Sequence, residues 1–137
     1  SFEDRLVRFE FELVKLVCAE QGFGFEEVPD GIEVFLGEDC VLCMKNDERD
    51  GSGLIGFKGT PWHTHGNLTF SDSKEYLEMT YLDALAGLGD GTVLICAMTH
   101  HGTVKDRWLV HCVHNDEFKH MQAGEKIIVS RAQNHAA

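Results

Sequence analysis

The run Thr92 to Met98, "TVLICAM", constrains this chain more than any other stretch. It is far shorter than the ~18 apolar residues a membrane helix needs. A short continuous apolar run reads instead as a central strand covered on both faces. The "THHG" that follows is a turn, and "VKDRWLVHCV" beyond it pairs back as the second arm of a hairpin.

Two segments are read as helices packed on the sheet. Residues 1–22, "SFEDRLVRFEFELVKLVCAEQG", repeat Leu6, Phe9, Leu13, Leu16 and Val17 at three- and four-residue steps. Val7, Phe11, Val14 and Cys18 widen the apolar face, while Arg5, Arg8, Glu12 and Lys15 follow the opposite one. Gly22 and Gly24 stop the helix. A second helix is expected over about 72–88, with Asp72 and Glu75 at capping-box spacing and Leu77, Tyr81, Leu85 and Leu88 as its stripe.

Between the helices, residues 31–46 read as two strands around a Gly-Glu-Asp turn, and residues 53–59 as one more. Residues 115–124 suggest one or two helical turns and 125–130 a last strand, while 132–137 form a tail without a packing signal. The expectation is a single α+β domain of 137 residues, its helices on one face of a mixed or antiparallel sheet. Five cysteines, an odd number set mainly in apolar runs, read as buried reduced thiols. With no leader-like pattern either, a soluble cytoplasmic domain is expected.

Charge narrows the partners. The net charge is −11, and residues 1–50 carry −9 of it. No Lys or Arg lies between Lys15 and Lys45, an interval holding Glu20, Glu26, Glu27, Asp30, Glu33, Glu38 and Asp39. Such a segment repels phosphate, which excludes nucleic acid and an anionic membrane surface as direct ligands. It suits a basic protein partner, and Phe23 and Phe25, interleaved with the acids, are candidate anchors. The expected binding face is Phe23, Phe25, Glu26, Glu27, Asp30, Glu33, Glu38 and Asp39.

An acidic chain of this size with mixed sheets and no catalytic motif resembles the immunity proteins of bacterial toxin–immunity pairs, including contact-dependent growth inhibition systems. That resemblance implies a non-catalytic inhibitor that neutralises a bacterial toxin, often a basic nuclease, by blocking its nucleic-acid cleft.

The alternative is a metal-dependent hydrolase. His63 and His65 are one residue apart, so on an extended strand both imidazoles face the same side and can reach one ion. "WHTH", Trp62 to His65, followed after seven residues by Ser73, resembles the JAMM (MPN) metallopeptidase signature, which implies zinc on His63 and His65. Tyr76 stands where that family has its carboxylate ligand, and Gly66 where it usually has Pro. That family's catalytic Glu would stand some 40 residues or more upstream on a strand. Glu20 has roughly that distance, Glu33 has the strand context but lies 30 residues before His63, and Asp72 is a neighbouring acid.

Other candidates read as structural. Cys40 and Cys43 have C-x₂-C spacing but no second such pair. His100 and His101 belong to the turn, and on a continuing strand His111 and His114 would point to opposite sides. No phosphate-binding glycine loop or nucleophile elbow is present.

Overall fold

In the computed structural model, residues 7–72, 75–115 and 121–134 are described. The order is α1 (Phe11–Gln21), β1 (Gly24–Val28), β2 (Gly31–Gly37), β3 (Cys40–Asn46), β4 (Gly53–Phe57), β5 (His63–His65), β6 (Leu68–Ser71), β7 (Tyr76–Met79), α2 (Tyr81–Asp90), β8 (Val93–His100), β9 (Thr103–His111) and β10 (Glu125–Ser130). Strands β1 to β5 form a meander in chain order, β10-β8-β9 a second sheet, and β6-β7 a hairpin. Every strand pairing is antiparallel. The domain is α+β, as its pattern of runs predicts.

Strand β8 is central to its sheet, and its alternate side chains enter two clusters. Val93 and Ile95 join the main core with Val34, Leu42, Ile55, Leu85 and Leu88. Cys96 faces the other way, against Trp108 and Val110. The "TVLICAM" run is therefore apolar throughout because both of its faces are covered. His101 (φ 50°) and Gly102 (φ 82°) make the tight turn into β9. Two consecutive positive φ values match the twist of a two-residue hairpin.

Helix α1 begins later than its periodicity predicts. Residues 1–6 lie outside the described residues, and 7–10 are extended. Asn46 clamps this segment: the Phe9 N–H donates to Asn46 Oδ1 at 2.8 Å, and Asn46 Nδ2 donates to the Phe9 carbonyl at 3.0 Å. The Gly53 N–H also donates to the Val7 carbonyl. Phe9 is thereby driven into the core, 2 % exposed, with its ring over Gly53, where a Cβ would meet it at 2.4 Å. The helix ends as expected at Gly22 (φ 76°), where the Phe23 N–H donates to the Cys18 carbonyl.

The second predicted helix is half strand. Asp72 and Glu75 are bonded at helix-cap spacing, with the Glu75 N–H donating to Asp72 Oδ1 at 2.9 Å and the Asp72 N–H to the Glu75 carbonyl at 3.0 Å. Those bonds close the β6–β7 hairpin, because an i, i+3 side-chain bond serves a tight turn as well as a helix start. The helix starts at Thr80, whose Oγ1 accepts from the Asp83 N–H at 3.0 Å.

Strands β1, β5 and β6 lie outside the strands expected from the sequence. Within 115–124, residues 116–120 lie outside the described residues, and 121–124 are a non-helical connection into β10. Much of the expected tail is docked. Ala132 packs on the core and the Gln133 N–H donates to the Leu36 carbonyl at 2.8 Å, while residues 135–137 lie outside the described residues.

Candidate functional site: the acidic face and the β5 histidines

The carboxylates of residues 20–39 are divided by the meander. Asp30 (φ 68°) lies in the β1–β2 turn, whereas Glu38 and Asp39 (φ 55°) make the β2–β3 turn at the other end of β2. Seven residues of strand hold these two turns roughly 20 Å apart. The alternation of β1 separates the rest. Glu26 faces outward opposite Glu33, and Glu27 faces α1, where it meets Lys15 at 2.7 Å. Glu33 pairs with Lys58 at 3.3 Å.

Phe23 is 4 % exposed and belongs to the core, so it is not an anchor on the surface, whereas Phe25 is 37 % exposed. The fold therefore brings Phe25 and Glu27 together on the α1 side of the edge strand β1 and leaves Glu26 on the opposite side, beside Glu33. It does not bring Asp30, Glu33, Glu38, Asp39 or Phe23 to that place.

What the fold adds to β1 is the outer face of α1. The buried seam of this helix is Val14 and Cys18, not the predicted stripe. Leu13 and Leu16 are 45 % and 59 % exposed, beside exposed Glu12 and Glu20. Lys15 lies between this face and β1, bound by Glu27 and by Glu12 at 3.1 Å. Its hydrogen bonds, Glu27 first and then Glu12, raise its pKa above the ordinary value. The sequence signal for this face was the width of the apolar side of α1. One helix in a two-layer domain buries only a third to a half of its circumference, so some of that width stays in water.

His63 and His65 project from the same side of the three-residue edge strand β5, both exposed, with ring centroids 5.7 Å apart and nearly perpendicular planes. His63 Nδ1 lies 3.1 Å from the Pro61 carbonyl. With the proton on Nδ1, that contact is a donated bond and Nε2 keeps its lone pair. Among the described residues, no set of three His, Cys, Asp or Glu side chains is gathered around a common point for a metal.

The acids of the JAMM-like pattern lie elsewhere. Tyr76 is 83 % exposed on β7, Asp72 meets His114 Nδ1 at 2.9 Å, and Glu20 is on α1. Glu33 is in the same cross-strand row as His63 but three strands away. Ser73 lies outside the described residues.

His111 and His114 are brought together rather than pointed apart, with ring centroids 5.1 Å apart. Strand β9 stops at His111, whose Nδ1 accepts from the N–H groups of Val113 (3.0 Å) and His114 (3.2 Å) and so turns the chain. This acceptor role places the proton of the neutral ring on Nε2. Burial, and then the nearby His114, push the His111 pKa down. His100 and His101, at the β8–β9 turn, also meet, with 4.2 Å between ring centroids.

Cys40 and Cys43 fall on opposite faces of β3 and share no site, and burial raises the pKa of both thiols. Cys18 and Cys96, wholly interior, are pushed up to about 11. All five cysteines are free thiols, and no helix among the described residues is long and apolar enough to cross a membrane. No protein-family model matches this chain, and neither a curated protein nor a solved structure matches it.

Proposed function

We propose that this protein is a non-catalytic docking module that holds a basic protein partner on the face made by α1 and the edge strand β1. The observation that carries the reading is the exposure of Leu13 and Leu16 amid acids. Burying one such side chain contributes about 1.5–3 kcal/mol, and α1 leaves two of them largely in water. Phe25 extends the apolar surface onto β1, with the exposed acids Glu12, Glu20 and Glu27 on the same two elements. The local cation, Lys15, is already held by Glu27 and Glu12, so the face keeps a negative potential. Apolar anchors inside a charged rim are the usual anatomy of a specific interface, with the rim governing encounter and the anchors governing lifetime.

The partner this face fits is a cation-rich protein surface, such as the nucleic-acid cleft of a toxin nuclease. In that case the protein acts as an immunity factor in a bacterial cytoplasm. The test is the association kinetics with the product of the adjoining reading frame. Reversing Glu26 and Glu27 to Lys should slow association about tenfold or more at low salt and flatten its salt dependence. Leu16→Ala should instead speed dissociation. An association rate unmoved by the charge reversal overturns the proposal.

A specific observation favours a second reading, metal binding at His63 and His65. Two imidazoles on one tetrahedral ion hold their ring centroids about 5 Å apart, close to the 5.7 Å between these rings. The contact of His63 Nδ1 with the Pro61 carbonyl is the orienting bond that histidine ligands use. A hydrolase built on that ion would draw its other groups from elsewhere than Tyr76 or Asp72. Elemental analysis of the purified protein tests this: stoichiometric zinc that is lost in His63→Ala supports it, and zinc-free protein that takes up none on dialysis removes it.

A further inference from the structure

The outward face of the five-stranded meander is not covered by any described helix. Its strand register lines up two rows of residues. One row runs Glu26, Glu33, Cys43, Gly56, His63; the other runs Val28, Gly31, Lys45, Leu54, His65. Gly56 brings no side chain to the first row, and the face is hollowed there between β2 and β5. The hollow is a groove of about 630 Å³, within the range of small-molecule sites. Leu54, Gly56, Val28 and Pro29 give it an apolar floor, and Pro61 and Trp62 form one wall.

In a chain of net charge −11, the groove has a balanced lining: Lys45 and Arg49 against Glu33 and Asp47, with His63 and His65 beside them. Its two carboxylates are already engaged: Glu33 with Lys58 at 3.3 Å, and Asp47 with Arg49 at 3.5 Å. Lys45 has no carboxylate partner among the described residues. Leu54 separates it from His65, so an ammonium and an imidazole flank one apolar side chain at about two strand spacings, roughly 10 Å. Lys45 is exposed, so its ammonium is free to meet a ligand that brings its own negative charge, and the apolar floor beside it suits a flat apolar body.

We propose that this groove is a binding site for a small organic carboxylate with a planar apolar body, its carboxylate held by Lys45 and His65 and its ring laid over Leu54 and Gly56. The site lies at the β3–β5 side of the meander, away from the α1–β1 face, and does not depend on the docking role.

The experiment is a titration of the full chain followed through its backbone amide resonances, with benzoate as the probe. Benzamide is the uncharged control and acetate the control without a ring. Benzoate should move the amides of Leu54, Gly56 and His65 saturably. Benzamide and acetate should each bind about tenfold more weakly or worse, the loss that follows from removing one charge-assisted contact or the apolar body. Lys45→Gln should weaken benzoate by a similar factor and Lys45→Arg should restore it. If either variant does not fold, the comparison of the three probes on the unaltered protein decides by itself. The proposal is overturned by absence of saturable shifts at these three amides. It is equally overturned by benzamide binding as well as benzoate, or by a folded Lys45→Gln variant that binds benzoate unchanged.

Discussion

His111 shows how much one side chain can settle. Its Nδ1 accepts two backbone N–H groups and ends β9, so the ring has to stay neutral at that atom. Burial, with His114 adding to it, holds its pKa below the ordinary 6.5. The unfolded chain then binds a proton at a higher pH than the folded one. The contribution of His111 is complete above about pH 6.5 and is lost as pH falls through its lower folded value. Urea midpoints measured between pH 8 and 5 should fall below about pH 6.5, and His111→Asn, which keeps an acceptor that does not titrate, should flatten that fall. Equal slopes for the two proteins would contradict the assignment. Gly53 makes the complementary point about space. A methyl group there would sit 2.4 Å from the Phe9 ring, so Gly53→Ala should lower unfolding free energy by about 1–3 kcal/mol, read from the same urea curves.

Among the elements, α2 separates what a sequence pattern shows from what tertiary structure decides. Asp72 with Glu75 and Thr80 with Asp83 offer two equally spaced helix starts, eight residues apart. Helix α2 uses the second, because residues 76–79 pair with β6 across four residue positions. Thr80→Ala should therefore cost about 1 kcal/mol and reduce helical circular dichroism near the transition. Asp72→Ala should leave the helical signal of the native state unchanged, since it loosens a hairpin instead.

Elements with strong local signals were legible in advance: "TVLICAM", the His101-Gly102 turn, the Gly22 stop and the final strand. Strands β1 and β5 were not, because β1 carries two adjacent acids and β5 is three residues long. Their pairing is supplied by neighbours rather than by their own composition. For the site, the acids and the His63–His65 pair were visible as residue types. Their separation onto two faces and two turns was not, because it depends on register. The outer stripe of α1 escaped for a similar reason: periodicity alone does not show which part of a wide apolar side turns inward.

At the scale of the whole molecule, the proposed docking role would give the charge imbalance and the exposed leucines one common explanation. Leu13 and Leu16 add little to the isolated fold, so replacing both with Gln should change unfolding free energy by no more than about 0.5 kcal/mol. The same double substitution should abolish partner binding, and retained binding with unchanged stability would separate the leucines from any docking role. The most direct measurement places a photo-crosslinking amino acid at position 16, with position 76, 83 % exposed on β7, as the control. Both proteins are irradiated inside the native cell. The α1–β1 account predicts one basic protein crosslinked from position 16 and not from position 76, lost when Glu26 and Glu27 are reversed to Lys. The same adducts from both positions, or an adduct at 16 that survives the charge reversal, would contradict it.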